Sequence, residues 1–384
     1  MRELAISIYL FGFKILFTIL KLFPLKNKVT FLVSFPDNPL YIYKGLQKQE
    51  IAIQSIFLCN NRCFDKFRKI SKFTYLVESR NFVHTLIGIY HLATSKHIIV
   101  DNYYGFLAVT KFKKGVKCTQ VWHAAGAIKQ FGADDPTNVN RTPAAFRRFR
   151  KVYRQFDQFA IGSDFMGSLF KKAFLVEDGV FLKTGIPRTD FFFDKAMHVS
   201  IRASLYQENP LLKQRKVILY APTFRRYEKD ASKLQLDLTK MYAELAGEYV
   251  LLIKLHPAIE LELDLGVEYQ GFVFDYSGYP DINKLLVITD ILITDYSSIP
   301  MEFILLKRKM IFYAYDLEVY EKDNGLWEDY ETSVPGPVAR NTDEVIDAIL
   351  NHEIDLSLLD AYAKKWLEYC DGDASEKLVN ELFG

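Results

Sequence analysis

Cysteine is scarce in this chain, with four residues in 384: Cys59, Cys63, Cys118 and Cys370. Cys59 and Cys63 are close, but no second pair of cysteines or histidines completes a metal-binding spacing. The four are expected to be reduced packing residues of a cytosolic protein. Repeats and low-complexity linkers are absent, which excludes solenoids and long disordered arms. No Walker A pattern occurs, and no G-x-G-x-x-G follows a strand-like run, so neither common nucleotide-binding fingerprint applies. Asp275 and Asp295 stand too isolated to form a magnesium site, so neither metal nor cofactor is expected. The N-terminus lacks the charged start and small-residue cleavage site of a signal peptide.

What is present describes a folded protein of about two domains: 49% hydrophobic and 25% charged residues. Aromatics make up 15%, with 31 Phe and 23 Tyr, which suits large buried faces or a membrane-facing surface. The net charge of +2 conceals an asymmetry. Residues 1–190 hold 29 Lys and Arg against 13 Asp and Glu (net +16), and the remainder 20 against 34 (net −14). A basic front half suits anionic lipid, a phosphorylated acceptor or nucleic acid, although no nucleic-acid recognition motif accompanies it.

The stretch Leu4–Phe23 is nearly long enough to span a bilayer. Its polar residues Ser7, Lys14, Thr18 and Lys21 share one narrow helical face. Three readings follow: a helix lying in the membrane interface with its lysines on anionic lipid, a short span, or a helix packed on its own domain.

Further on, apolar runs alternate with helical patterns. Residues 28–34, 97–101, 117–122, 156–161 and 179–183 read as strands. After a charged helical stretch near 196–207 the series restarts at 217–221, 249–254, 272–274, 291–294 and 310–314. This is the pattern of parallel sheets with crossover helices, twice over. The expected division is 1–28 for the amphipathic helix, 29–195 and 196–345 for two Rossmann-like domains facing a central cleft, and 346–384 for C-terminal helices.

Ligands in such sheets bind beyond the carboxyl ends of the strands. Five strand ends carry unusual residues. Val121-Trp-His-Ala-Ala-Gly-Ala-Ile-Lys-Gln-Phe-Gly132 sets His123 straight after an apolar run, with Lys129 close behind. Thr184-Gly-Ile-Pro-Arg-Thr-Asp190 offers Arg188. Ala221-Pro-Thr-Phe-Arg-Arg226 offers Thr223 and Arg225, and Lys254-Leu-His-Pro257 offers Lys254 and His256. Thr294-Asp-Tyr-Ser-Ser298 places two hydroxyls where a helix begins. Each has an ordinary alternative: a core histidine, an arginine capping a helix, a Pro-Thr turn, serine N-caps. Together, hydroxyls, Arg and Lys suit phosphate oxygens, and histidine suits proton removal near neutrality.

The five motifs, WHAAGAIKQFG, TGIPRTDFF, APTFR, KLHP and TDYSSIPMEF, resemble the CDP-glycerol glycerophosphotransferases of wall teichoic acid synthesis over about residues 120–305. The resemblance implies a GT-B fold and a metal-independent transfer of glycerol phosphate from CDP-glycerol to a lipid-linked acceptor. It implies that His123 is the catalytic base and His256 a second functional histidine near the donor phosphates. It further implies a donor site lined by Trp122, Ala124, Ala125, Gly126, Lys129, Arg188, Pro222, Thr223, Arg225, Lys254, Leu255, Ser297, Ser298 and Glu302. The chain departs from the polymerising members at Ala124-Ala125-Gly126, Lys254 and Glu302, and it lacks a large extra domain. Those features look more like the enzyme that places the first glycerol phosphate on the N-acetylmannosaminyl sugar of an undecaprenyl-diphosphate disaccharide. The implied setting is peripheral, on the cytoplasmic face of the bacterial cell membrane, within a teichoic acid synthesis complex. Rival readings are a second-unit, polymerising or ribitol-phosphate transferase, a sugar-nucleotide GT-B glycosyltransferase, and a non-catalytic scaffold. The basic stretch 141–154 reads as a solvated helix face or as a surface for lipid or acceptor phosphates.

Overall fold

The computed structural model describes residues 1–225, 234–256, 263 and 265–384. These divide into two compact units. The first comprises Met1–Ala125, Phe131–Asp190 and Leu367–Gly384, and the second Gly126–Gln130 and Phe191–Trp366.

The first unit is built on a seven-stranded sheet: β1 (Lys26–Val33), β2 (Gln54–Cys59), β3 (Thr74–Leu76), β4 (Ser95–Val100), β5 (Lys117–Gln120), β6 (Gln158–Ala160) and β7 (Phe181–Leu182). Their order is β3-β2-β1-β4-β5-β6-β7, and every pair is parallel. Parallel strands need crossover connections that cover both faces, so the strands read as continuous apolar runs rather than alternations. In β1 the last six residues are all buried. The chain runs outward from β1 to β3, then returns to lay β4 along the other side of β1, with Leu32 opposite Val100. Connections leaving β1 and β4 therefore depart in opposite directions, which opens a crevice at their carboxyl ends.

The second unit repeats the plan with β8 (Lys216–Tyr220), β9 (Tyr249–Ile253), β10 (Val273–Asp275), β11 (Ile291–Thr294), β12 (Lys309–Tyr313) and β13 (Val338–Ala339). The order is β10-β9-β8-β11-β12-β13, again parallel, with the switch point between β8 and β11. The C-terminal segment divides between the units. Leu378, Val379 and Leu382 join the core of the first, while the chain as far as Trp366 stays with the second.

The ten expected strands are present with ends shifted by a few residues, and three more are present that the sequence reading does not include: the six-residue β2 and the short β3 and β13. The run expected at 117–122 stops at Gln120 because Trp122 adopts a left-handed backbone, φ +56°.

The helix α1 (Arg2–Leu20) docks on the first unit through Phe13 and Phe17, which are buried. Phe13 stacks on Phe106 at 4.8 Å, and Phe17 meets Phe112 edge-on at 5.8 Å. Glu3 pairs with Arg148 at 3.2 Å. About half a turn away from this face, Leu4, Ile8, Phe11, Ile15, Ile19 and Leu22 form an exposed apolar ridge. The polar stripe lies between the two faces. Ser7 and Thr18 donate to their own helix backbone, and Lys21 donates to the Lys111 carbonyl at 2.7 Å. All four cysteines are buried and free, and burial raises each thiol above its ordinary pKa, as packing residues require.

Candidate active site

In the first unit the site forms around His123, three residues beyond the end of β5. The left-handed turn at Trp122 is fixed from two sides. The Gln120 side chain accepts from the Trp122 amide at 2.9 Å, and Asn38 donates to both the Val121 and Trp122 carbonyls at 3.0 Å. The His123 carbonyl accepts from Arg188 at 2.7 Å, and the same guanidinium pairs with Asp37 at 3.3 Å. Asp37 and Asn38 open α2 (Asp37–Lys48), directly after β1. The His123 backbone is thus held by groups from three strand ends.

The imidazole itself lies between two rings. Phe35 stacks on one side at 4.4 Å and 18°, and Trp122 packs at 4.3 Å and 30°. Its Nδ1 lies 3.2 Å from the Asp101 carbonyl oxygen. Burial lowers its pKa to about 4. The hydrogen bond to Asp101 opposes that shift, and Arg188 adds to it. The ring is therefore neutral at pH 7, as a proton acceptor must be.

Beneath it, Asp101 is fully buried, one residue past the end of β4. Its carboxylate accepts from the Ser34 amide at 2.7 and 3.0 Å, from the Phe35 amide at 2.7 Å, and from the Tyr104 hydroxyl at 3.4 Å. Burial pushes this carboxyl up to about 8 in spite of those donors.

In the second unit the corresponding position is Asp295, the residue after β11, which is 1% exposed. Both its oxygens accept from the Thr223 amide, at 2.9 and 3.1 Å. Arg225 binds Asp295 at 2.5 Å and Asp316 at 2.9 and 3.0 Å, and it lies within 6 Å of the Tyr315, Tyr296 and Tyr320 rings. Burial disfavours the guanidinium charge, but Asp316 and Asp295 more than offset this, so its pKa is raised. Its side chain is 1% exposed. Arg225, expected to contact substrate, is instead committed to two carboxylates and fixes the loop carrying Thr223. The Thr223 hydroxyl is buried and has no partner among the described residues.

Lys254 donates to the Ser277 carbonyl at 2.6 Å, and burial lowers its pKa. Leu255 is buried and its amide donates to the Ser277 hydroxyl. His256 is exposed and packs against Phe224 at 5.9 Å. The Ser297 hydroxyl lies 2.9 Å from that of Thr294. Pro222 and Ser298 are half-buried, and Glu302 is buried. Arg226 and Pro257, which close two of the motifs, lie outside the described residues.

The stretch from Trp122 to Lys129 is divided. Trp122, His123, Ala124 and Ala125 belong to the first unit, and Gly126 and Lys129 to the second. There Lys129 pairs with Leu326 in an antiparallel bridge, and its ammonium lies 5.9 Å from the Tyr320 ring. A Cβ at Gly126 would meet the Trp366 ring at 2.6 Å and Met301 at 3.0 Å. That glycine is required by an indole packed on its backbone, which is sufficient reason without any ligand. Arg188, expected at the donor phosphates, donates to the His123 carbonyl. Four residues escaped the sequence reading: Phe35, Asp37, Asn38 and Asp101. The strand-end rule applied to β1 and β4 would have found them. Among the described residues no group of three or more His, Cys, Asp or Glu is placed to hold a metal.

A family model described as CDP-Glycerol:Poly(glycerophosphate) glycerophosphotransferase matches residues 15–384. The chain is 33% identical over 383 residues to a teichoic acid glycerol-phosphate primase of Bacillus subtilis, covering 99% of this chain and 97% of the relative. It is also 33% identical over 390 residues to a teichoic acid poly(ribitol-phosphate) polymerase of Bacillus spizizenii, covering 99% of this chain and 60% of the relative. The solved structure of the wall teichoic acid polymerase TagF superimposes with a TM-score of 0.78 at 25% identity, covering 98% of this chain and 94% of that one. A histidine-to-asparagine variant of TagF soaked with CDPG matches with a TM-score of 0.75 and the same coverage.

Proposed function

The chain belongs to the CDP-glycerol:poly(glycerophosphate) glycerophosphotransferase family, and on that footing we propose that it performs the priming step of wall teichoic acid linkage-unit synthesis. It transfers glycerol 3-phosphate from CDP-glycerol to a hydroxyl of the N-acetylmannosaminyl-N-acetylglucosaminyl-diphospho-undecaprenol lipid. The likeness to the primase, 33% identical along 97% of that relative, motivates the priming reading, although a poly(glycerol phosphate) polymerase of Bacillus spizizenii is matched along 98% of its length at 31% identity.

His123 is the general base. The observation that carries this role is a neutral imidazole between two rings with Nδ1 occupied by a carbonyl, so that Nε2 is the ring nitrogen left to accept a proton. The acceptor oxygen attacks the glycerol-bearing phosphorus and its proton passes to Nε2. The bond to the CMP oxygen breaks, and CMP leaves with the bonding pair. Catalysis of this kind is mainly positioning and charge stabilisation. The Thr223 hydroxyl, Lys254, His256, Ser297 and Ser298 are the donor-phosphate groups, and Lys129 adds positive charge. The carboxylates of Asp295 and Asp316 hold Arg225 and, through it, Thr223.

The test is CMP release from CDP-glycerol with the lipid-linked disaccharide, for wild type and His123→Ala. The variant should lose on the order of 10²–10⁴-fold in kcat, the share a positioned base supplies. Wild-type turnover in a folded His123→Ala variant would refute the base. Product mass counts the units added. A ladder of units, or activity with CDP-ribitol, would favour the polymerising or ribitol-phosphate reading, which the equal identity to the poly(ribitol-phosphate) polymerase supports.

The protein attaches peripherally to the membrane by the exposed ridge of α1. This helix is long and apolar enough to cross a bilayer by composition, yet Phe13 and Phe17 tie one face to the first unit. Exposed Arg147, Arg150, Lys151 and Arg154 on the nearby basic helix supply charge for anionic lipid. Phe11→Asp with Ile15→Asp should abolish sedimentation with anionic vesicles, and unchanged sedimentation would remove the ridge from this role.

A further inference from the structure

Asp101 has no place in the transfer step, yet its carboxyl group is fully buried at the first unit's switch point. Burying such a group is costly unless strong donors surround it. Its donors are two consecutive backbone amides, Ser34 and Phe35, and the Tyr104 hydroxyl. Tyr104 also lies 2.8 Å from the Ser34 hydroxyl, so the turn after β1 is gripped at three atoms. That turn carries the Phe35 ring that stacks on His123. The main chain of Asp101 itself supplies the carbonyl facing Nδ1 of His123.

We propose that Asp101 is the positioning residue of the reaction: its carboxyl group fixes the Phe35 ring against His123 while its carbonyl holds Nδ1, so that one tautomer with Nε2 open is imposed. The inference rests on the reading of His123 as base. A carbonyl oxygen only accepts, so Nδ1 carries the proton. Rotating the ring by half a turn would replace Nδ1 by a carbon and forfeit that bond. Phe35 and Trp122 on its two faces confine the ring plane in which the bond is made. Without the carboxylate the two amides lose their acceptor, the Phe35 turn is released, and the imidazole is free to exchange tautomers. This is the logic by which a second group orients a catalytic histidine, carried here by a backbone carbonyl and a stacked ring.

The experiment uses the full chain with ¹⁵N-labelled histidine and reads the long-range ¹H–¹⁵N spectrum of His123 at pH 7, assigned by its loss in His123→Ala. Wild type should show the Nδ1–H tautomer. Asp101→Ala should show a mixture, and its kcat should fall on the order of 10²-fold with KM for CDP-glycerol changed by less than about twofold, as expected of a misplaced reacting group. Asp101→Asn should restore the single tautomer and most of the lost kcat, because its amide oxygen can accept from both backbone amides. An Nε2–H tautomer in wild type, wild-type kcat in a folded Asp101→Ala variant, or Asp101→Asn as impaired as Asp101→Ala would overturn the proposal. If Asp101→Ala does not fold, Phe35→Leu carries the test: a mixed tautomer and lowered kcat support the proposal, and an unchanged spectrum and kcat defeat it. The two readings fail separately. Full activity of His123→Ala would sink the base, whereas the tautomer spectra test the clamp without turnover.

Discussion

The two units place an aspartate at the same point of the same plan and treat it differently. Asp101 follows β4 and Asp295 follows β11, each beside the first strand of its sheet. Each carboxylate receives backbone N–H from the turn after that first strand, Ser34 and Phe35 in one unit and Thr223 in the other. The difference lies in the remaining partners. Asp295 is closed by Arg225, which is shared with Asp316 and enclosed by three tyrosine rings. Among the described residues Asp101 has only neutral donors, and its carboxyl is pushed up to about 8. A switch-point carboxylate is therefore a backbone clamp whose strength depends on what else is buried with it. The unit with Arg225 has a charge-locked loop, and the other keeps a titratable clamp under its histidine.

The largest effect expected from this contrast is in the second unit. Arg225→Met leaves the buried Asp295 and the half-buried Asp316 without their cation and should cost about 3–5 kcal/mol in urea unfolding. A loss under about 1 kcal/mol would mean that Asp295 does not depend on its lock.

The first unit should instead show its clamp through pH. The folded Asp101 carboxyl titrates at about 8, above its unfolded value near 3.9. Its stabilising contribution is thus complete below the unfolded value and is lost as pH rises through about 8. Unfolding free energies measured from pH 4 to 9 should therefore fall relative to those of Asp101→Asn. Parallel curves would equate the two carboxylates.

His123 reports the opposite sign. Its pKa near 4 lies below the ordinary histidine value, so the base form persists until pH falls through about 4. The acid limb of kcat/KM should lie there, and a limb at 6.5 would show that burial does not act on this ring in the free enzyme. The smallest effect is Tyr104→Phe, which removes the long hydrogen bond to Asp101 and the 2.8 Å bond with the Ser34 hydroxyl and should cost about 1–2 kcal/mol. A cost near zero would assign the grip to the two amides alone.

Sequence reasoning reached the parallel sheets because strands such as β9 and β11 are nearly continuous apolar runs, and it singled out His123 and Thr223 because they follow such runs. It missed what holds them. Asp101 was visible as the end of His97-Ile-Ile-Val-Asp101, and Pro36-Asp-Asn-Pro39 reads as an ordinary turn. An acceptor for backbone amides needs no distinctive neighbours in sequence, only the pairing of β1 with β4 that brings it under the turn. Arg225 reads as a phosphate ligand until Asp316, 91 residues later, is seen to take its guanidinium. The reason for Gly126 likewise lies at Trp366, far along the chain. Residue type signals chemistry locally, while the groups that restrain that chemistry are specified by long-range register.

The two faces of α1 also imply two rates of sequence drift. Phe13 and Phe17 meet shaped neighbours, Phe106 and Phe112, and must match them in volume as well as polarity. On the proposed membrane attachment, the exposed Leu4, Ile8, Phe11, Ile15, Ile19 and Leu22 would face fluid lipid chains, which reward apolarity and are indifferent to shape. Among orthologues the ridge should exchange Leu, Ile, Phe and Met freely while the docked pair stays aromatic, so one helix carries a slow clock and a fast one half a turn apart.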